Sequence, residues 1–194
     1  MLNKSSFIYG FNPVVEAIGA GKEIEKIYIL KTIQQSRAKE LIHLASERNI
    51  PFQFVPMEKL NRLTRQNHQG IVAMVSAVSF ADIETLLPTI YETGKAPFFI
   101  ILDKITDVRN FGSIARTAEC AGVNAIIIPS RGSASINADA VKTSSGALNI
   151  IPVCRTDNLK EAIVFLKHCG IRIIAATETA EMNYFNADYN HPVA

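Results

Sequence analysis

Asn110, Ser113 and Arg116 recur at a spacing of three in the stretch LDKITDVRNFGSIARTAECAGVNAIIIP, residues 102–129. If a helix starts near Phe111, the three side chains share roughly one flank. Ile114, Ala118 and Ala121 then take the other flank and pack on a sheet. Gly112 and Ala115 keep the first turns slim, so that a backbone or ligand can come close. Arg116 supplies a permanent cation with a planar fork of donors, suited to a phosphate. A helix N-terminus would add free N–H groups and a partial positive charge. A phosphate-containing ligand fits this set. A helix merely capped by Asn110, with Arg116 solvated, fits it as well. A dinucleotide fingerprint is not present, because the turn holds one glycine rather than three.

The elements around the stretch place it. Residues 98–102, FFIIL, form a continuous apolar run, as expected of a strand covered on both faces. Strands are further expected at 125–128, 151–153 and 171–175. Helices are expected from about Phe111 to Gly122, around 138–144, and from Asp157 or Asn158 to Cys169. This alternation predicts a parallel, Rossmann-like sheet with right-handed crossovers. In such a sheet ligands bind beyond the carboxyl ends of the strands, where the loop after Leu102 lies.

The first 80 residues show a second α/β rhythm. Strands are expected at 7–9, 26–30, 52–55 and 70–78. Helices are expected after Asn12 (as N-cap, with Pro13 in first helical position), from Ser36 to Arg48, and from Met57 to Arg65. Asp82 caps a short helix through Leu87 that Pro88 interrupts. The sequence therefore divides into a small α/β N-terminal domain at 1–79, a linker at 80–96 and a second α/β domain at 97–194.

Composition narrows the classes. The 194 residues are 48% hydrophobic and 20% charged, ordinary for a folded domain. No apolar run reaches the roughly 18 residues of a membrane span, and the N-terminus lacks the pattern of a signal peptide. A cytoplasmic, non-membrane protein is expected. Cys120, Cys154 and Cys169 are widely spaced and form no CxxC pair, so buried free thiols and no metal site are expected. Net charge is only +2. Residues 1–80 hold ten Lys/Arg against six Glu, whereas the remainder holds ten against twelve acidic residues. A weakly basic first part suits contact with nucleic acid. No serine, histidine and carboxylate set suggests a hydrolase, and His43, His68, His168 and His191 are scattered.

Residues 107–118, DVRNFGSIARTA, resemble the first motif of the SpoU family of RNA ribose 2′-O-methyltransferases, which belong to the knotted SPOUT class. The family pattern is Asp-Pro-x-Asn-x-Gly-x-x-x-Arg-x-Ala, and only its proline departs, at Val108. AGVNAIIIP and NADAVKTSSGAL also resemble the family. YGFNPVVEAI and NHQGIVAMVS resemble its small substrate-binding domain. The resemblance implies S-adenosylmethionine as cofactor, ribosomal or transfer RNA as substrate, and a homodimer. It implies that Arg116 activates or positions the ribose hydroxyl. An arginine is a poor proton acceptor, so binding the neighbouring phosphate and stabilising alkoxide charge is the expected role. Asn110 would hold Arg116 or the ribose, with Ser113 beside them on the RNA. Ala176, Thr177 and Glu178, after an expected strand end, would line the cofactor pocket. Lys31, Arg37, Arg62, Arg65 and His68 are the candidate RNA contacts of the first domain.

Two further family motifs, a glycine- and glutamate-rich turn and a serine- and asparagine-containing segment, do not occur before the last residues, YNHPVA. A fragment or truncated form is expected, with an open sheet edge, an uncovered apolar face and little activity alone. The alternative reading is a non-catalytic RNA-binding module.

Overall fold

The computed structural model describes residues 7–194. The very start of the region read for a signal peptide lies outside them. The described residues divide into two units. One comprises those up to Ser79 together with Ser135–Val141, and the other comprises Phe80–Ala134 and Lys142–Ala194.

The first unit is built on a four-stranded sheet of order β1-β4-β2-β3, with β1 Phe7–Tyr9, β2 Ile24–Leu30, β3 Phe52–Val55 and β4 Ile71–Val75. β4 runs antiparallel to both neighbours, whereas β2 and β3 are parallel. Alternation along β2 sends Ile27 and Ile29 to one face, where α1 (Phe11–Gly19) and α2 (Gln35–Glu47) bring Val14, Ile18, Leu41 and Ala45. Tyr28 and Leu30 take the other face, against Leu60 of α3 (Met57–Leu63). Each fully buried aliphatic side chain contributes about 1.5–3 kcal/mol. The helix α1 begins at Phe11, not after Asn12: Gly10, at φ 91°, occupies the cap position. Pro13 therefore sits third in the helix, where its missing N–H still costs no helical hydrogen bond. Ser135–Val141, in which α6 (Ala138–Thr143) begins, joins this unit through Ile136, whose carbonyl accepts from Ala77 N–H at 3.0 Å. Ile136 N–H donates to Glu25 Oε1 at 3.4 Å.

The second unit holds a sheet of order β5-β8-β7-β6 whose strands pair in parallel, with β5 Phe80–Ala81, β6 Phe99–Ile101, β7 Ala125–Pro129 and β8 Val153–Thr156. Ala125 to Ile128 are all buried, as a strand covered on both faces requires. Ala125 and Ile127 pack with Ile83, Leu87 and Ile90 of α4 (Ile83–Glu92) and with Leu166 of α7 (Leu159–His168). Residues 80–92, expected in a linker, thus supply a strand and a helix. Asp82 does cap α4, accepting from Glu84 and Thr85 N–H. The helix nevertheless runs through Pro88 to Glu92, because Leu87 and Ile90 on either side of the proline are anchored in the core.

Residues 171–175 do not form the regular strand expected of them. Arg172 makes an isolated parallel bridge to Val193, and Val193 bridges Phe98 on its other side. Arg172 N–H donates to Pro192 O, and Phe99 N–H to Val193 O, both at 2.9 Å. The β6 edge is therefore not bare. Residues 192–194 lie between β6 and the segment 172–174, and Val193 is buried.

Candidate active site

Helix α5, Val108–Cys120, starts three residues earlier than expected, because Asp107 and not Asn110 is its cap. Asp107 Oδ1 accepts from Arg109 N–H at 2.9 Å and from Asn110 N–H at 2.8 Å. This satisfies two of the donors that a helix start leaves free. It also removes the expected phosphate cradle: an anion arriving at the helix end would meet a carboxylate already in place. Positive charge in this site must come from side chains.

The flanks of α5 sort as the periodicity requires, with one shift. Phe111, Gly112, Ala115 and Ala118 form the buried stripe. Gly112 and Ala115 are slim because they face the core, not because a ligand approaches them. Ile114 is half-buried and Ala121 exposed, so the expected inner face is displaced by one row. Asn110, Ser113 and Arg116 are exposed on the opposite side and make no side-chain hydrogen bond or ion pair among the described residues. Thr117 Oγ1 donates to Ser113 O at 3.1 Å, which keeps its hydroxyl on the helix rather than in competition for ligand.

Hydrogen bonds link the loops that follow β6, β7 and β8. The loop after β6 is tied to the loop after β7 by Ala134 N–H donating to Ile105 O at 2.7 Å. The loop after β7 is tied to β8 by Ser130 N–H donating to Thr156 O at 2.8 Å, and by a close hydrogen bond from Ser130 Oγ to Asp157 Oδ1. Arg131, exposed in this braced loop, is a cation that motif reading passed over. Its position directly after an apolar strand was the available signal. Ala176, Thr177 and Glu178 are exposed on the irregular segment that leaves the bridged position 172–174, with Thr177 Oγ1 3.2 Å from Thr179 Oγ1. Among the described residues they make no hydrogen bond to α5.

Lys31, Arg37, Arg62 and Arg65 are exposed on the first unit. Leu30 N–H donates to Gly70 O at 2.8 Å, so Lys31 and the loop 64–70 lie at the same end of the sheet. Arg37, in the first turn of α2, has its guanidinium 5.7 Å from the Phe11 ring centre. His68 is different: it is buried, and both ring nitrogens are engaged. It is therefore no surface contact for RNA. The exposed amides Gln66, Asn67 and Gln69 beside it were missed, since isolated amides carry no motif.

The thiols also differ from expectation. Cys154 is buried, and burial, with the charge of Asp82, pushes its pKa up to about 12, so it stays a neutral core thiol. Cys120 is exposed and Cys169 half-buried. Among the described residues no cluster of His, Cys, Asp or Glu is grouped to hold a metal, and no helix is long and apolar enough to cross a membrane.

Two family models match the chain. Residues 7–81 match the RNA 2′-O ribose methyltransferase substrate-binding domain, and residues 97–194 match the SpoU rRNA methylase family. A Bacillus subtilis protein, YacO, assigned to the TrmH family of tRNA/rRNA methyltransferases, is 33% identical over 194 residues, covering 100% of this chain and 78% of its own length. A Staphylococcus saprophyticus protein of the same description is 35% identical over 186 residues, 96% of this chain and 75% of its own. Among solved structures, an AdoMet-bound rRNA methyltransferase from Sinorhizobium meliloti superposes with a TM-score of 0.52 at 21% identity, covering 97% of this chain and 68% of that one. The SpoU methyltransferase AviRb from Streptomyces viridochromogenes, in complex with AdoMet, gives a TM-score of 0.52 at 18% identity, over 96% and 70%. These two likenesses show a shared α/β fold.

Proposed function

Since the chain belongs to the SpoU family of RNA methylases, we propose that it transfers a methyl group from S-adenosylmethionine to a ribose 2′-hydroxyl of ribosomal or transfer RNA, in the cytoplasm and as a homodimer. The observation that carries this reading is the exposed flank of α5, where Asn110, Ser113 and Arg116 stand together opposite the buried stripe and without internal partners.

The chemistry follows from the side chains. A ribose hydroxyl must be aligned with an electrophilic carbon and must lose its proton as it attacks. A guanidinium is a poor proton acceptor and a permanent cation, so Arg116 acts through its charge. It holds the phosphate beside the target ribose and stabilises charge growing on the 2′-oxygen. Asn110 offers both a donor and an acceptor six residues closer to the helix start. It orients the ribose or the guanidinium. Asp107, by fixing the first turn, sets the direction in which Asn110 leaves the helix.

The residues expected to hold the cofactor have suitable chemistry. Glu178 is an exposed acceptor for ribose hydroxyls, and Thr177 carries a hydroxyl donor. With Ala176 they would line one side of the cofactor, which supplies the methyl group on a sulfonium when bound. The cationic first unit, through Lys31, Arg37, Arg62 and Arg65, would hold the RNA backbone.

Labelled S-adenosylmethionine incubated with total ribosomal and transfer RNA tests the reading. Label that survives alkaline hydrolysis as an uncleaved dinucleotide marks a methylated 2′-oxygen, because base cleavage needs that hydroxyl free. Label on bases alone overturns the ribose assignment. Transfer is expected to be accompanied by RNA binding measured in the absence of S-adenosylmethionine. RNA binding with no transfer under any condition would favour the binding-module alternative.

A further inference from the structure

The loop 64–70 is held far more firmly than a surface connection needs. His68 is 7% exposed, and its Nε2 lies 3.0 Å from Asn61 Oδ1. Gly70 N–H donates to His68 Nδ1 at 3.0 Å, so Nδ1 is the unprotonated nitrogen and Nε2–H faces the asparagine oxygen. His68 O accepts from Ile71 N–H at 2.8 Å. Gln69 and Gly70 are both left-handed, at φ 49° and 83°. A Cβ on Gly70 would stand 3.1 Å from Leu30 Cβ, so the loop passes hard against β2.

The tip carried by this frame is polar and without internal partners. Arg65, Gln66 and Asn67 are exposed, and none of their side chains bonds to a described residue. An ordered loop that shows one cation and two amides has the chemistry of a reading head. Each amide presents a donor and an acceptor side by side, as the edge of a nucleobase does. Those edges are accessible to a loop only when the bases are unpaired, since the major groove of an RNA duplex is too deep and narrow.

We propose that loop 64–70 recognises unpaired RNA bases, with Gln66 and Asn67 on base edges, Arg65 on a backbone phosphate and His68 as the positioning residue beneath them. The inference rests on the RNA methyltransferase reading and names the part of the RNA that the first unit takes.

The test uses the full chain and two synthetic RNAs of equal length, a hairpin with an unpaired loop and a perfect duplex, with affinity measured by fluorescence anisotropy over a range of salt. The wild type is expected to prefer the hairpin. Gln66→Ala with Asn67→Ala should weaken hairpin binding about tenfold, toward the duplex value, with the salt slope unchanged. Arg65→Ala should lower the slope by about one for both RNAs. His68→Ala should weaken hairpin binding about tenfold with the slope kept, since it loosens the frame and removes no charge. Should His68→Ala fail to fold, the two exposed amides decide alone. Variants that bind the hairpin like the wild type overturn the inference and leave the RNA reading standing. A wild type that binds neither RNA overturns both.

Discussion

Helix α5 and the loop 64–70 each hold polar side chains in the open without internal partners, but they do so by different means. On α5 the backbone does the work. A cap, Asp107, fixes the first turn, and the 3.6-residue repeat then separates Asn110, Ser113 and Arg116 from the buried Phe111, Ala115 and Ala118. In the loop there is no repeat to use. One buried side chain, His68, and one glycine, Gly70, bind the backbone into a shape with two consecutive left-handed residues. Order imposed by a helix is shared among many hydrogen bonds and survives the loss of any one. Order imposed by a pin depends on the pin. The two regions should therefore fail differently when altered.

Arg116→Ala should bring the steepest loss of function with the least structural change. Methyl transfer is expected to fall about 10²–10³-fold, as when one preorganised charge stabiliser is removed. Thermal stability should stay within about 0.5 kcal/mol, because the side chain is exposed and unpaired. Single-turnover transfer of labelled methyl, paired with a melting curve, checks both halves. A large drop in melting temperature would mean that α5 is not the independent scaffold described.

The loop should behave in the opposite way. His68→Ala leaves the Gly70 N–H without its acceptor inside a buried position, which costs about 1–3 kcal/mol. Gly70→Ala adds a left-handed alanine and a contact with Leu30, costing about 1–2 kcal/mol. Denaturant unfolding measures both. Losses under about 0.5 kcal/mol in both variants would show that the loop is not pinned, and the contrast with α5 would disappear.

Asp107→Ala lies between these cases. It should cost about 1 kcal/mol, the usual worth of a cap, and it should also uncover the donors of Arg109 and Asn110. Inorganic phosphate should then protect the variant from thermal unfolding more than it protects the wild type. Equal protection would mean that the cap does not block the helix end. The smallest effect belongs to the thiols. Cys120 should react quickly with a thiol reagent at neutral pH, and Cys154, with its pKa pushed up to about 12 and its side chain buried, should react only on unfolding.

Much of the architecture could be read before any coordinates. The strand Phe52–Val55 falls where alternation and turn residues put it, and α2 and α7 fall within a residue or two. The grouping of Asn110, Ser113 and Arg116 was legible too. All of these are local regularities, in which a short window of residues carries its own period. The cap of α5 was misplaced because asparagine and aspartate both cap well, and the choice between them lies with the loop that delivers the chain. The extent of α4 was underestimated because Pro88 is a local signal for a stop, whereas Leu87 and Ile90 hold the helix through contacts distant in sequence. His68 is expected among the RNA contacts because nothing nearby in the chain announces its burial.

Residue order alone therefore specified two successive α/β units, the α5 flank and the family to which both belong, because periodicity and motif spacing are properties of neighbours along the chain. Tertiary structure decided the rest. It assigned Ser135–Val141 to the first unit, placed Val193 between Phe98 and Arg172, turned the end of α5 into a filled rather than an open anion site, and made His68 a support instead of a contact. In these cases the outcome turned on groups meeting across space or on how a loop delivers the chain, and no local pattern encodes which meetings occur.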